Sequence, residues 1–152
     1  MDSSRTKTEI LDPTLHAVGF EIGELTPNRV TGRLPVTEIC CQPFKVLHGG
    51  VSALISESLA SMGAHMSSGF RRVAGIQLTI NHLRTARLGD LVFAEASPVD
   101  AGNTVQVWEV RLWKTGGGEE VTVSTSRVTL LVMSVPPHAI DSADNLKKFA
   151  KL

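Results

Sequence analysis

The hydrophobic positions change period twice along the chain, and the changes predict its elements. Leu15 to Phe20 is short and apolar and predicts a helical turn. From Gly19 to Val36, the stretches FEIGEL and RVTGRLPV flank Thr26-Pro27-Asn28, which predicts a β-hairpin. The irregular stretch ICCQPFKVLHGG follows, with Pro43 and a glycine pair. From Gly50 to Met66 the period becomes helical, with Val51, Leu54, Ile55, Ser58, Met62 and Met66 at the spacing of one helix face. After Ser67-Ser68-Gly69 the pattern turns to strands. VAGIQLTINHL, LVFAEASPVD, TVQVWEVRLWK and EEVTVSTSRVTLLVM are rich in β-branched residues and often alternate. Ala101-Gly102-Asn103 and Gly116-Gly117-Gly118 suit hairpin loops between them.

The order is two strands, one helix and a long antiparallel meander. The expected fold class is therefore α+β, an antiparallel sheet wrapped around one central helix. Residues 1–152 are expected to form a single domain, with 1–14 a polar leader and 135–152 a polar, basic tail, both peripheral. The helix is rich in small residues: Ser52, Ala53, Ser56, Ala60, Ser61, Gly63 and Ala64. Its only acid is Glu57 and its only basic residue is His65. A solvated helix would carry more charge, so other structure is expected to wrap it. One helix cannot cover so many strands, and a second subunit is expected to bury the remainder.

Composition narrows the function classes. Fifteen Lys and Arg balance fifteen Asp and Glu, which argues against a general nucleic-acid binder. Cys40 and Cys41 are the only cysteines; neighbours rarely form a disulfide, and no second cluster supports a zinc site. This reads as a reducing compartment. No stretch has the length of a membrane span, and the N-terminus lacks the apolar core of a secretion signal.

The chemistry concentrates in Gln42 to Gly50, followed by Glu57. A glycine pair entering a helix leaves backbone N–H groups free at the positive end of the helix dipole, where an anion or developing oxyanion can bind. Gln42 and His48 lie beside this position and can donate hydrogen bonds. Glu57 lies roughly 10–12 Å along the helix, too far to cap its start. An acid on such a helix is hydrogen-bonded, functional or both. Plainer readings stand beside these: His48-Gly49-Gly50 as a capping turn, Glu57 as a solvated position, and Asn81-His82 as a sheet-edge pair. His16, His65 and His138 show no partners in the sequence and receive no role.

The block VLHGGVSALISESLASMGA, with Gln42 upstream and INHLR downstream, resembles the hotdog-fold acyl-CoA thioesterases. Within them it is similar to the branch acting on 4-hydroxybenzoyl-CoA and phenylacetyl-CoA. The plant thioesterases acting on 1,4-dihydroxy-2-naphthoyl-CoA in phylloquinone synthesis resemble it most. The match runs from about Leu15 to Met133. The resemblance implies hydrolysis of an acyl-CoA thioester to free acid and coenzyme A. Glu57 would be the nucleophile or general base, and the Gly49 N–H would polarise the thioester carbonyl. Gln42 and His48 would position the thioester, and Ser61 would orient the carboxylate or water. Asn81, His82 and Arg84 would lie near the coenzyme A arm. No metal or other cofactor is implied, since coenzyme A is part of the substrate. A homodimer with shared sites is implied, commonly paired again into a dimer of dimers, with no nucleic-acid or membrane partner.

Two rival readings remain at this level: a hotdog-fold enoyl-CoA hydratase or dehydratase, and a non-catalytic acyl-CoA-binding protein. Ala150-Lys151-Leu152 resembles the Ser-Lys-Leu peroxisomal address, with Lys147 and Lys148 adding charge upstream. That implies a peroxisomal import receptor as partner and the peroxisome as location. The plainer reading is a solvated basic tail on a cytosolic protein.

Overall fold

A computed structural model describes residues 4–134 and 140–152. Two short helices, α1 (Lys7–Leu11) and α2 (Pro13–Ala17), precede the hairpin strands β1 (Glu21–Thr26) and β2 (Arg29–Pro35). The long helix α3 (Gly49–Ser67) follows a short 3-10 turn at Glu38–Cys40. Strands β3 (Val73–His82), β4 (Leu91–Ala101), β5 (Val105–Gly116) and β6 (Glu119–Val132) come next, and helix α4 (Ile140–Phe149) closes the described chain. The six strands form one antiparallel sheet in the order β1-β2-β4-β5-β6-β3. α3 packs against all six strands.

Local chemistry accounts for the hairpins. Thr26 pairs with Arg29, so Pro27 and Asn28 alone make the first turn. Gly117 and Gly118, both at positive φ, turn β5 into β6 as a two-residue loop that glycine enters without steric cost.

The meander expected after the helix is not continuous. β3 does not pair with β4; it lies beyond β6 and forms an edge of the sheet. The connection from 83 to 90 crosses the start of α3. It is tied there by Leu47 N–H donating to Ala86 O at 2.7 Å and Leu88 N–H donating to Lys45 O at 3.1 Å. Such pairing is non-local, and no alternation pattern encodes it.

α3 buries Ser52, Ile55, Ser56, Leu59, Ala60, Gly63, Ala64 and Met66. This face is rotated from the expected stripe, for Val51, Leu54, Ser58 and Met62 are only half-buried. The wrapping is therefore one-sided, and Glu57 is on the open side. Trp108, fully buried, explains the choice. A Cβ on Gly63 would lie 2.3 Å from its ring, so only glycine lets the helix approach. The indole Nε1–H donates to Gln106 Oε1 at 2.8 Å, and Ser67 Oγ donates to the same oxygen at 2.8 Å. The contact is thus fixed by polar as well as apolar partners.

Both termini depart from the expected peripheral leader and tail. Thr8 is buried, and its Oγ1 accepts from Ile22 N–H at 2.9 Å, pinning α1 to β1. Asp12 caps α2 by accepting from Leu15 N–H at 3.0 Å, and Leu15 is fully buried. In α4, Ala143 and Leu146 are buried, and Lys151 N–H beyond it donates to Leu25 O at 2.8 Å. Polar composition hid the three-residue spacing of Ala143, Leu146 and Phe149. Val135-Pro136-Pro137 and His138 lie outside the described residues.

The Gly63–Trp108 contact generates a test. Gly63→Ala forces a methyl group into a fully packed indole and is expected to cost about 1–3 kcal/mol. Urea unfolding measures it; an unchanged midpoint would show that the contact has slack.

Candidate active site

The start of α3 is built by a tight turn. Gln42 N–H donates to Val46 O at 2.9 Å, Lys45 N–H donates to Gln42 O at 3.0 Å, and Lys45 takes a positive φ. The Gln42 side-chain Oε1 accepts from Phe44 N–H. This leaves the Gln42 amide nitrogen as a donor with no partner in the turn. His48 is the N-cap of α3; its Nδ1 accepts from Gly50 N–H at 2.8 Å. In the neutral ring the proton then sits on Nε2, which is a donor. His48 O accepts from Val51 and Ser52 N–H, whereas Gly49 N–H finds no acceptor among the described residues. That N–H is the free donor expected at a helix start.

His82, from the end of β3, closes over this turn. A Cβ on Gly49 would lie 3.0 Å from the His82 ring, so glycine permits the approach. Gln42, Gly49, His82 and Arg84 line a common cavity of about 360 Å³. Arg84 Nη1 donates to Thr122 O at 3.2 Å, which holds its guanidinium at the rim. Asp90 steadies the same connection: Arg87 N–H, and then the Lys114 ammonium, hold its carboxyl below the usual carboxylate range.

Glu57 and Ser61 face a different cavity, of about 920 Å³. Its walls are the open side of α3, the start of β3, and residues of α1 and α4, including Leu11 and Leu146. Glu57 makes no ion pair or hydrogen bond among the described residues. Its Oε1 would lie 2.5 Å from a Cβ on Gly75, so glycine there leaves room for the carboxylate. β3 carries a bulge between Gly75 and Gln77 at this point, the kind of local bend that re-aims side chains beside a site.

Within one chain the expected residues therefore fall into two groups. Gln42, Gly49, His82 and Arg84 meet at one end of α3, with His48 capping that end, and Glu57 and Ser61 lie farther along it. Eight residues separate Gly49 from Glu57, roughly 12 Å along the axis. Asn81 lines neither of these two cavities. Successive strand side chains face opposite ways, so having His82 over Gly49 turns Asn81 to the outer face.

Two features escaped the sequence. His65 lines the Glu57 cavity, and so do the terminal helices. Spacing alone could have flagged His65, two turns after Glu57 on the same helix. Partial burial pushes the Cys41 thiol up, away from the reactive thiolate. Among the described residues no three His, Cys, Asp or Glu side chains gather as metal ligands, and no helix is long and apolar enough to cross a membrane.

Comparison with known proteins gives this geometry its context. The thioesterase superfamily pattern matches residues 44–121, from the Gln42 turn through β3 and into β6. The 1,4-dihydroxy-2-naphthoyl-CoA thioesterase 2 of Arabidopsis thaliana is 58% identical over 144 residues, covering 91% of this chain and 92% of that protein. A 1,4-dihydroxy-2-naphthoyl-CoA hydrolase of Listeria monocytogenes is 38% identical over 96 residues, covering 62% of this chain and 77% of that one. A solved thioesterase from Haemophilus influenzae superposes with a TM-score of 0.72 at 31% identity, over 82% of this chain and 85% of that one. With its sheet around one long helix and its match from the Gln42 turn onward, the chain belongs to the thioesterase superfamily, the hotdog-fold enzymes that hydrolyse acyl-CoA thioesters.

Proposed function

We propose that the protein hydrolyses 1,4-dihydroxy-2-naphthoyl-CoA, or an aromatic acyl-CoA of that kind, to the free acid and coenzyme A. The observation that carries this reading is the 58% identity, over nearly the whole of both chains, to the Arabidopsis thioesterase of that name. The Glu57 cavity supports it. Its volume of about 920 Å³ and its apolar walls at Leu11, Leu54, Met62, Val73 and Leu146 suit a bicyclic aromatic group.

In the proposed mechanism, Gly49 N–H donates to the thioester oxygen and stabilises the charge that grows there. Losing one such donor typically costs about 2.7–4 kcal/mol of barrier. The Gln42 amide and the His48 ring orient the thioester. Glu57 delivers the oxygen to the carbonyl carbon, by its own attack or by taking a proton from water. The carbon–sulfur bond then breaks, and the coenzyme A sulfur leaves and takes up a proton; where Glu57 itself attacks, a water then opens the resulting mixed anhydride, which frees the acid and restores the carboxylate. Ser61, one helical turn after Glu57, orients the carboxylate. His82 and Arg84 lie near the coenzyme A arm, and no further cofactor takes part.

Two chains build each site in this proposal. A near-attack geometry needs about 3 Å between reacting groups, which the separation of Gly49 and Glu57 in one chain does not allow. A second copy brings its Gly49 to the first copy's Glu57. Support for a partner comes from the unpaired edge of β3, where Ile76 is 59% exposed, and from Phe44, which is 85% exposed. An exposed strand edge beside such apolar groups is a ready pairing surface. A dimer of dimers is the further proposed assembly.

We also propose a peroxisomal location, by import through Ala150-Lys151-Leu152. Lys151 and Leu152 have exposed side chains, whereas Ala150 packs against the core and Lys151 N–H donates to Leu25 O, so the tail comes away from β1 when a receptor takes it. A fluorescent protein carrying α4 and this tail is expected to concentrate in peroxisomes of plant cells; diffuse cytosolic signal would refute the address.

Two substitutions test the catalytic assignment with purified protein and aromatic acyl-CoA. Glu57→Gln keeps shape but removes charge, and turnover should fall at least about 100-fold while substrate binding persists. Near-normal turnover would remove Glu57 from the mechanism. Gly75→Ala places a methyl where the carboxylate sits, and kcat should fall by roughly 100-fold with the fold retained. An unchanged kcat would show that Gly75 does not position Glu57.

A further inference from the structure

His65 lies two turns beyond Glu57 on α3 and lines the same cavity. Its Nδ1 is 2.6 Å from the carbonyl oxygen of Arg71. A carbonyl can only accept, so in the neutral ring Nδ1 carries the proton and Nε2 is left as a bare acceptor. Nε2 is buried and has no hydrogen-bond partner among the described residues. The ring cannot readily turn to find one. Its other nitrogen is engaged, and it sits edge-on to Phe70 with centroids 5.4 Å apart. Phe70 is in turn held under the Lys147 ammonium of α4, at 4.8 Å. Nearly all buried polar atoms in native proteins are paired, so an orphan acceptor beside a ligand-sized cavity points to a donor that arrives with a ligand.

The spacing defines that donor. Glu57 and His65 are eight residues apart, roughly 12 Å along the axis. Attack on the carbonyl takes up about 3 Å of this at one end. A hydrogen bond takes up about 2.8 Å at the other. What is left between the carbonyl carbon and the donor oxygen is roughly 6 Å or a little less, a span that a hydroxyl meta or para to the acyl group bridges; O4 of a 1,4-dihydroxy-2-naphthoyl group is the meta one. Nε2 has no solvent-accessible surface in the free chain, so a ligand hydroxyl reaches it only as the α4 wall moves aside. Ser142, Asn145 and Leu146 of α4 form the wall at this side, and they lie outside the segment that matches the family pattern.

We infer that His65 Nε2 accepts a hydrogen bond from a hydroxyl on the aromatic acyl group, and thereby selects hydroxylated over unsubstituted aryl substrates. The inference rests on the proposed seating of the acyl group in the Glu57 cavity. α4 is the wall that adjusts to admit the ring. His65 is a specificity residue in this account and takes no part in cleaving the thioester.

Binding and turnover separate the two proposals. Calorimetry on the full chain compares 1,4-dihydroxy-2-naphthoate with 2-naphthoate. The wild type should bind the hydroxylated acid about 10-fold more tightly. In His65→Leu the ratio should collapse towards one, and His65→Gln, which keeps an acceptor, should recover part of it. A ratio unchanged in His65→Leu, or absent in the wild type, overturns the inference. Histidine nitrogen NMR on the wild type gives a readout that needs no variant. The His65 Nε2 resonance should shift with the hydroxylated acid and stay in place with 2-naphthoate; equal shifts count against the role. If the wild type hydrolyses neither corresponding thioester but His65→Leu still abolishes the binding ratio, the proposed reaction fails while the His65 role holds.

Discussion

Everything at the site depends on how closely α3 lies against the sheet. Gly63 against Trp108 sets that distance, since a side chain at 63 would occupy the indole. Once this face is seated, the rotation of the helix is settled. Ser52, Ser56, Ala60 and Ala64 face the strands. Glu57, Ser61 and His65 are left on the open side, along one cavity. A helix with larger residues on its buried face would stand farther out and carry the Glu57 carboxylate away from the space that Gly75 leaves for it. The small-residue composition is therefore a positioning device before it is anything chemical.

The same helix separates two kinds of chemistry by its length. Its start offers an N–H at Gly49 that is unpaired among the described residues, with a His48 cap that keeps the turn in place. Its middle offers a carboxylate. Neither end of this arrangement can act alone on a thioester, because polarisation and attack must meet at one carbon. In the proposed dimer, the partner's helix start turns an awkward separation within one chain into a short one between chains. The edge position of β3 serves that end too, since it keeps the strand that supports Glu57 free to pair.

Much of this was legible in the sequence where the signal is local. The helix period placed α3 to within one residue at each end, and alternation found all six strands. The spacing of Gln42, His48, Gly49 and Glu57 pointed to thioester chemistry through family resemblance. What escaped was non-local. The crossing from β3 to β4 depends on backbone bonds such as Leu47 to Ala86, which no periodicity shows. Trp108 chose the buried face of α3, so the stripe from Val51 to Met66 was read slightly off. The terminal helices were hidden by polar composition, although Thr8 and Leu146 anchor them. His65 had no readable partner because both Arg71 O and the cavity are tertiary features.

The central claim is that one chain's Glu57 works with the other chain's helix start, and subunit mixing tests it most directly. Glu57→Ala and Gln42→Ala proteins, each strongly impaired alone, are unfolded together and refolded so that chains exchange. In a mixed dimer one site carries both defects and the other carries none. Activity should return in the mixture to about one quarter of wild type, since half the dimers are mixed and each has one whole site. A mixture that stays inactive, with mixed dimers demonstrated by mass, would contradict the shared site.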